Sequence, residues 1–205
     1  MVLSDRDFRA RMSGDVQLIT PFTESKLQAA SYDLSLSNHI SVCSSTGSVI
    51  SLNDDAAVEQ AFRPTTISEQ GYVLQPGQFI LVQINETIHV PVDLCAHIRP
   101  RTRFTRLGLL VTPQHCNPGY SGRLSLGLYN AGLNAVRLVP GLKIAQIVYE
   151  TLTSVPSKEK QYQNKTEAAY HNETDLRGAT FSAAELSPEA KNLYEKLRED
   201  LLGDR

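Results

Sequence analysis

The amino-acid sequence predicts a mainly β fold, an all-β sandwich or barrel, and three observations carry that prediction. Several stretches are short, β-branched and often alternating in polarity: "YDLSLSNHISV", "FILVQINETIHV", "LSLGLYN", "VRLVPG" and "KIAQIVYETL". Turn-forming pairs punctuate them at Pro76-Gly77, Pro118-Gly119 and Pro140-Gly141. No helical periodicity interrupts the run, which argues against a doubly wound α/β sheet. Neither a G-x-G-x-x-G nor a P-loop pattern is present.

The β-rich middle is flanked by segments of different character. The opening "VLSDRDFRARM" reads as a short helix. Ser4 is placed to cap it, Asp7 stands three residues on as in a capping box, and Leu3 and Phe8 are spaced for a hydrophobic staple. After Val155, "PSKEKQYQNKTEAAYHNETDLRGATFS" is polar and poor in aliphatic residues, the composition of a flexible arm ordered by a ligand or a neighbour. Ser187-Pro188-Glu189 then opens a last helix, with Ser as N-cap and Pro at the first position. Leu193, Leu197 and Leu201 recur every four residues beside Tyr194, a stripe expected to dock on the body of this subunit or another. The boundaries are therefore 1–155 for the β domain with its N-terminal helix, 156–182 for the arm, and 183–205 for the C-terminal helix.

The 205-residue chain suits one domain with an appended tail and is long enough to bury a core. A net charge of -2 gives no reason to expect a nucleic-acid partner. No signal-peptide run and no membrane span is readable, so the sequence reads as cytoplasmic. Cys43, Cys95 and Cys116 are odd in number and far apart, which fits reduced thiols rather than a disulfide framework. Zinc deaminases pair an H-x-E with a P-C-x-x-C; no P-C-x-x-C occurs here, and no protein metal site is expected.

Charge is unevenly placed. From Leu94 through Tyr149 there is no Asp or Glu, and the ionised groups are Arg99, Arg101, Arg103, Arg106, Arg123, Arg137 and Lys143. A wholly basic middle in a mildly acidic protein points to a local anion site. Phosphate is the natural ligand for a planar guanidinium fork. The alternative is a set of arginines paired with acids from elsewhere in the fold or from a partner subunit.

Three separated stretches, "VLSDRDF", "RPRTRFTRLGLLV" and "NPGYSGRLSLGLYNAGLNAVRLVPGLKIAQIVYETL", together resemble the dCTP deaminase and dUTPase superfamily. The opening and "AYHNETDLRGATFS" are more similar to the deaminase branch, and the resemblance covers roughly residues 1 to 182. It implies a jelly-roll-like β-barrel of the dUTPase-like type that assembles as a homotrimer with active sites between subunits. It also implies an arm that closes over a pyrimidine deoxynucleoside triphosphate, with Mg2+ carried by the triphosphate.

The same resemblance assigns residues. At the phosphate end, Thr102 keeps the hydroxyl of the family's Arg-Ser-Ser pattern, Arg103 replaces its second Ser with a cation, and Arg106 matches the basic position of the deaminases. Gln146 matches the family's Gln. Tyr170, Arg177, Gly178 and Thr180 stand where the family's arm contacts the triphosphate. Arg101 has an equally good reading as a buttress of the loop.

At the chemical end the resemblance meets two gaps. The deaminases' general acid-base Glu corresponds to Gly127, and the dUTPases' Asp before the Pro-Gly turn corresponds to Asn117. Losing a general base removes a factor of roughly 10²–10⁴, so standard dCTP deamination and dUTP hydrolysis are expected to be weak or absent. A nucleotide hydrolase would need a relocated base. His115 is the local candidate, with Asn117 on the sugar and Asp33 organising Mg2+ and water. Glu173 or Asp175 could arrive on the arm, and Gly127 would leave space for a bulkier base or a modified pyrimidine. The alternative is an inactive nucleotide-binding sensor or regulator. A Cys116–His115 nucleophilic pair is disfavoured because adjacent strand residues face opposite ways.

Overall fold

The computed structural model describes residues 1–14, 17–45, 47, 49–50, 54–165, 168–176, 178–179 and 187–203, without the side chains of 55 and 198–203. The fold is mainly β, as expected. The strands in chain order are β1 (Ile19–Thr20), β2 (Leu27–Gln28), β3 (Ser31–Cys43), β4 (Phe62–Thr66), β5 (Tyr72–Leu74), β6 (Phe79–Ile84) and β7 (Thr87–His89). They continue with β8 (Leu94–Pro100), β9 (Leu109–Val111), β10 (Gln114–Cys116), β11 (Ser121–Gly122), β12 (Ser125–Asn130), β13 (Val136–Leu138) and β14 (Lys143–Thr151). The helices are α1 (Asp5–Met12), α2 (Asp55–Gln60), α3 (Thr102–Arg106) and α4 (Pro188–Gly203).

A nine-stranded sheet runs β10-β8-β14-β3-β6-β12-β9, with β2 and β4 also paired to β3. The strand β3 holds its two halves together. Its first residues pair with β2 and β14, and its later ones with β4 and β6. The register against β6 shifts between Leu36 and Ile40, the kind of irregularity that bends a strand. One long strand thus passes from one half-sheet to the other and curls the sheet around a single core. Tyr32, Leu34 and Leu36 fill that core, while the alternate Asp33, Ser35 and Ser37 face the other way.

The N-terminal helix forms as its sequence dictates. Ser4 caps α1, the Asp7 amide donates to the Ser4 hydroxyl at 3.3 Å, and the Ser4 amide donates to Asp7 at 3.0 Å. Leu3 and Phe8 are both buried. Phe8 stacks on Tyr32 at 5.7 Å and meets Tyr149 edge-on at 5.8 Å, fixing α1 to β3 and β14.

The ends of the chain bring two differences from expectation. The arm is held against the body by backbone bonds, among them Tyr162 N–H to the Pro118 carbonyl at 2.8 Å and Asn172 N–H to the Ser121 carbonyl at 2.7 Å. Ser187 does cap α4, accepting from the Ala190 amide at 3.2 Å. Yet Leu193 and Leu197 are exposed, so these two leucines do not dock on this subunit's own body; the side chain of Leu201 lies outside those described. No helix among the described residues is long and apolar enough to cross a membrane.

Candidate functional site

The predicted phosphate end is built around α3. Phe104 is buried and anchors this short helix, which leaves Thr102, Arg103 and Arg106 exposed on its outer side. Arg101, just before it, caps no backbone group. Its guanidinium turns to the fully buried carboxylate of Asp33. Lys143 reaches the same carboxylate at 3.1 Å, and the Gln28 amide donates to it at 3.2 Å.

A β-bulge explains how Lys143 and Gln146, three residues apart, share the Asp33 side of the sheet. The register of β14 against β3 shifts between Lys143 and Ala145, so Ile144 is an extra residue and the alternation changes phase. Gln146 then pairs across from Asp33 on one side and Arg99 on the other, and accepts from the Ser31 hydroxyl at 3.3 Å. Next to α3 lies a groove of about 470 Å³ floored by Phe104 and rimmed by Arg101, Arg103, Arg137 and Lys143. No acid lines it. The acid-free middle of the sequence is therefore a cationic groove in space.

The Asp33 carboxylate thus faces two cations and anchors the loop of Arg101 to the sheet. Among the described residues, no group of three or more His, Cys, Asp or Glu could hold a metal ion. A second buried acid was missed from the sequence. Glu86 is fully buried, receives Lys26 at 2.6 Å, and accepts from the Ser35 amide at 3.0 Å and hydroxyl at 2.7 Å. A lone Glu in a polar stretch between two strands carries no local signal of such burial.

The predicted chemical end centres on β10. His115 is exposed and lies across from His97 in β8, with their Nδ1 atoms 3.4 Å apart and ring centroids 4.9 Å apart. His97 in turn stands 3.8 Å from Glu150. Cys116 points the opposite way, into the core, and burial pushes its thiol up to about 12. No thiolate is available there near neutral pH, and the Cys116–His115 pair is ruled out. Asn117 begins the turn through Pro118 and Gly119, its carbonyl accepting from the Tyr120 amide at 3.0 Å.

The space expected above Gly127 is filled. A Cβ on Gly127 would stand 2.7 Å from Thr112 Cγ2 and 2.8 Å from Phe79 Cε2. Gly127 pairs with Leu81, and Tyr129, two residues on, pairs with Phe79, so the Phe79 ring reaches it diagonally. The room expected there for a bulkier base is taken by the Thr112 and Phe79 side chains.

Instead the opening lies beside it. A cleft of about 520 Å³ is lined by Gln114, His115, Ser125, Phe79, Tyr170 and Glu173, with Gly178 against Phe62 at its edge. Gln114 ties its floor together by donating to the Ser125 carbonyl at 2.8 Å. That size suits a small-molecule ligand. The arm forms one wall, so His115, Tyr170 and Gly178 come together within one chain. Thr102, Arg106, Gln146 and Asn117 do not line this cleft. Arg177 and Thr180 lie outside the described residues.

The position of Glu173 is set by the backbone. Gly122 and Glu173 form a parallel bridge, and the Arg123 amide donates to the Glu173 carbonyl at 2.7 Å. Gly122 has φ +154°, which side-chain-bearing residues rarely adopt, and a Cβ there would lie 3.1 Å from the Glu173 nitrogen. Gln83 fixes the next residue by donating to the Thr174 carbonyl at 2.9 Å.

Comparison with known proteins agrees with this layout. A family profile described as dCTP deaminase-like matches residues 2–152. The chain is 33% identical over 180 residues to a dCTP deaminase of Natronomonas pharaonis, covering 85% of this chain and 91% of that one. It is 33% identical over 173 residues to a dUMP-forming dCTP deaminase of Streptomyces griseus, covering 80% and 89%. Its fold matches the crystal structure of a 2′-deoxycytidine 5′-triphosphate deaminase from Agrobacterium tumefaciens with a TM-score of 0.59 at 20% identity. That match covers 73% of this chain and 48% of the other, so the chain spans about half that protein's length. With three quarters of its length under one profile and relatives 33% identical over most of both chains, the chain belongs to the dCTP deaminase-like family.

Proposed function

We propose that the chain binds a pyrimidine deoxynucleoside triphosphate and hydrolyses it, by deamination or pyrophosphate release, without a carboxylate at positions 117 and 127. The observation that carries this reading is the arm-closed cleft of Gln114, His115, Tyr170 and Glu173 in a member of this family. Relatives bear the names dCTP deaminase and dUMP-forming dCTP deaminase, which supports the substrate class. The cationic groove at α3 supplies what a triphosphate needs, and the aromatic walls of the cleft supply what a ring needs.

The two openings have no lining residue in common. A homotrimer in which the α3 groove of one subunit faces the cleft of another would complete the site. Exposed Thr102, Arg103 and Arg106, with Arg177 and Thr180 on the arm, are the phosphate contacts of this proposal. Mg2+ would enter on the triphosphate oxygens, neutralising their charge, since Asp33 is bound to Arg101 and Lys143. A second reading, an inactive nucleotide sensor, is favoured by one observation: Phe79 and Thr112 occupy the place above Gly127.

A turnover screen separates the two. The purified chain is incubated with Mg2+ and dCTP, dUTP, dTTP, their ribose forms and 5-modified deoxycytidine triphosphates, and ammonia and pyrophosphate are assayed. The expected result is release from at least one pyrimidine deoxynucleotide, weaker from standard dCTP and dUTP. Nucleotide binding without any release would leave only the sensor.

A further inference from the structure

We propose that Glu173, delivered by the arm, is the general acid-base residue of a deamination carried out in the cleft of Gln114 and His115. This rests on the hydrolase reading above. Water attack on a ring carbon requires a group that takes up and returns protons within hydrogen-bond reach. Glu173 is the one carboxylate among the described lining residues of the cleft, and it is 8% exposed. His115 also lines the cleft, but it is exposed and turned against His97.

The end of the substrate that belongs here follows from the walls. Among the described lining residues there is no Lys or Arg, and the aromatic side chains of Phe62, Phe79 and Tyr170 line the opening. Such a cleft suits a flat heterocycle better than a triphosphate. The backbone that carries Glu173 is also held in place. The backbone bonds of Asn172, Glu173 and Thr174 to Ser121, Arg123 and Gln83 pin the arm at three successive residues.

In the step itself, the Glu173 carboxylate takes a proton from water as the water oxygen bonds to the ring carbon carrying the amino group. The carbon–nitrogen bond then breaks. One water proton ends on the ring nitrogen and the other on the departing ammonia, so one water is consumed, one ammonia leaves and no oxidant is needed.

The test compares wild type, Glu173→Gln and Glu173→Asp on the 4-amino substrates of the screen, dCTP and its 5-modified forms, with melting measured alongside. The account expects ammonia release to fall at least about 100-fold in Glu173→Gln, with the nucleotide-induced melting shift retained. Glu173→Asp, which keeps a retracted carboxylate, should recover part of kcat, and the acidic limb of the wild-type pH profile should vanish in Glu173→Gln. Ammonia release by Glu173→Gln within a few-fold of wild type overturns the inference and leaves the hydrolase reading standing. So does full activity of Glu173→Asp should Glu173→Gln fail to fold. A wild type that binds nucleotide but releases only pyrophosphate, or nothing, also overturns it. Absence of any melting shift removes the binding reading as well.

Discussion

Asp33 and Arg101 form an ion pair across 68 residues of chain, joining the buried face of β3 to the residue that precedes α3. The acid absent from the whole basic middle is thus supplied by the first long strand. Through this pair the cationic loop is fixed to the core rather than left to fluctuate. Removing one partner of a buried ion pair leaves uncompensated charge, which costs about 3–5 kcal/mol. Arg101 and Lys143 keep side-chain exposures of 34% and 39%, so water takes over part of that cost, and Asp33→Ala should lower unfolding stability by about 2 kcal/mol in urea titration, with Arg101 and Lys143 left facing each other. A loss under about 1 kcal/mol would show the pair to be incidental.

Gly127 is bare because Phe79 and Thr112 stand over it. Gly127→Ala should cost about 1–3 kcal/mol, the usual cost of overpacking. Gly127→Glu should cost more and gain no turnover. Combining either with Phe79→Ala should cost less than the sum of the two single changes, a coupling measurable by a double-mutant cycle. Strict additivity would mean that the two residues do not compete for space.

His89 contributes a pH dependence. Its Nδ1 lies 2.9 Å from the Ser121 hydroxyl, and burial holds the ring below its ordinary value of 6.5. The unfolded chain takes up this proton at higher pH than the folded one. The contribution is complete above the unfolded pKa of about 6.5 and is lost as pH falls toward the folded value, with a slope of at most about 1.4 kcal/mol per pH unit. Denaturation between pH 7.5 and 5.5 should show this slope in wild type and a flatter one in His89→Gln.

Cys116 should be inert in the folded protein. Its thiol is buried and held near 12, whereas Cys43 is exposed. Iodoacetamide at pH 8 should label Cys43 first and reach Cys116 only on unfolding. Equal labelling rates in the native state would contradict the placement of β10.

Local patterns were legible in the sequence, and distant pairings were not. The capping box at Ser4 and Asp7, the alternation of β3 and β14, and the Pro118-Gly119 turn depend on neighbours a few residues apart, and the structure follows them. The short helices α2 and α3 carry too few residues for a periodic signal. The cationic groove was foreshadowed by the missing acids. Its partner was not, because the Asp33–Arg101 pair depends on sheet order. The filled space at Gly127 depends on Phe79 reaching it from a neighbouring strand, and composition cannot show that. The arm's composition suggested flexibility, yet its docking rests on backbone bonds to Ser121 and Arg123, for which no side-chain pattern is needed.

The most direct test of nucleotide binding is a thermal melt of the wild-type chain with Mg2+ and each nucleotide of the screen. A ligand at about 100 times its Kd adds about 2.7 kcal/mol, which for a chain of this size raises Tm by about 5–10 °C. The account predicts such a rise with at least one pyrimidine deoxynucleoside triphosphate, a smaller one with its ribose form, and a reduced one in Arg106→Ala. An unchanged Tm with every nucleotide would contradict it.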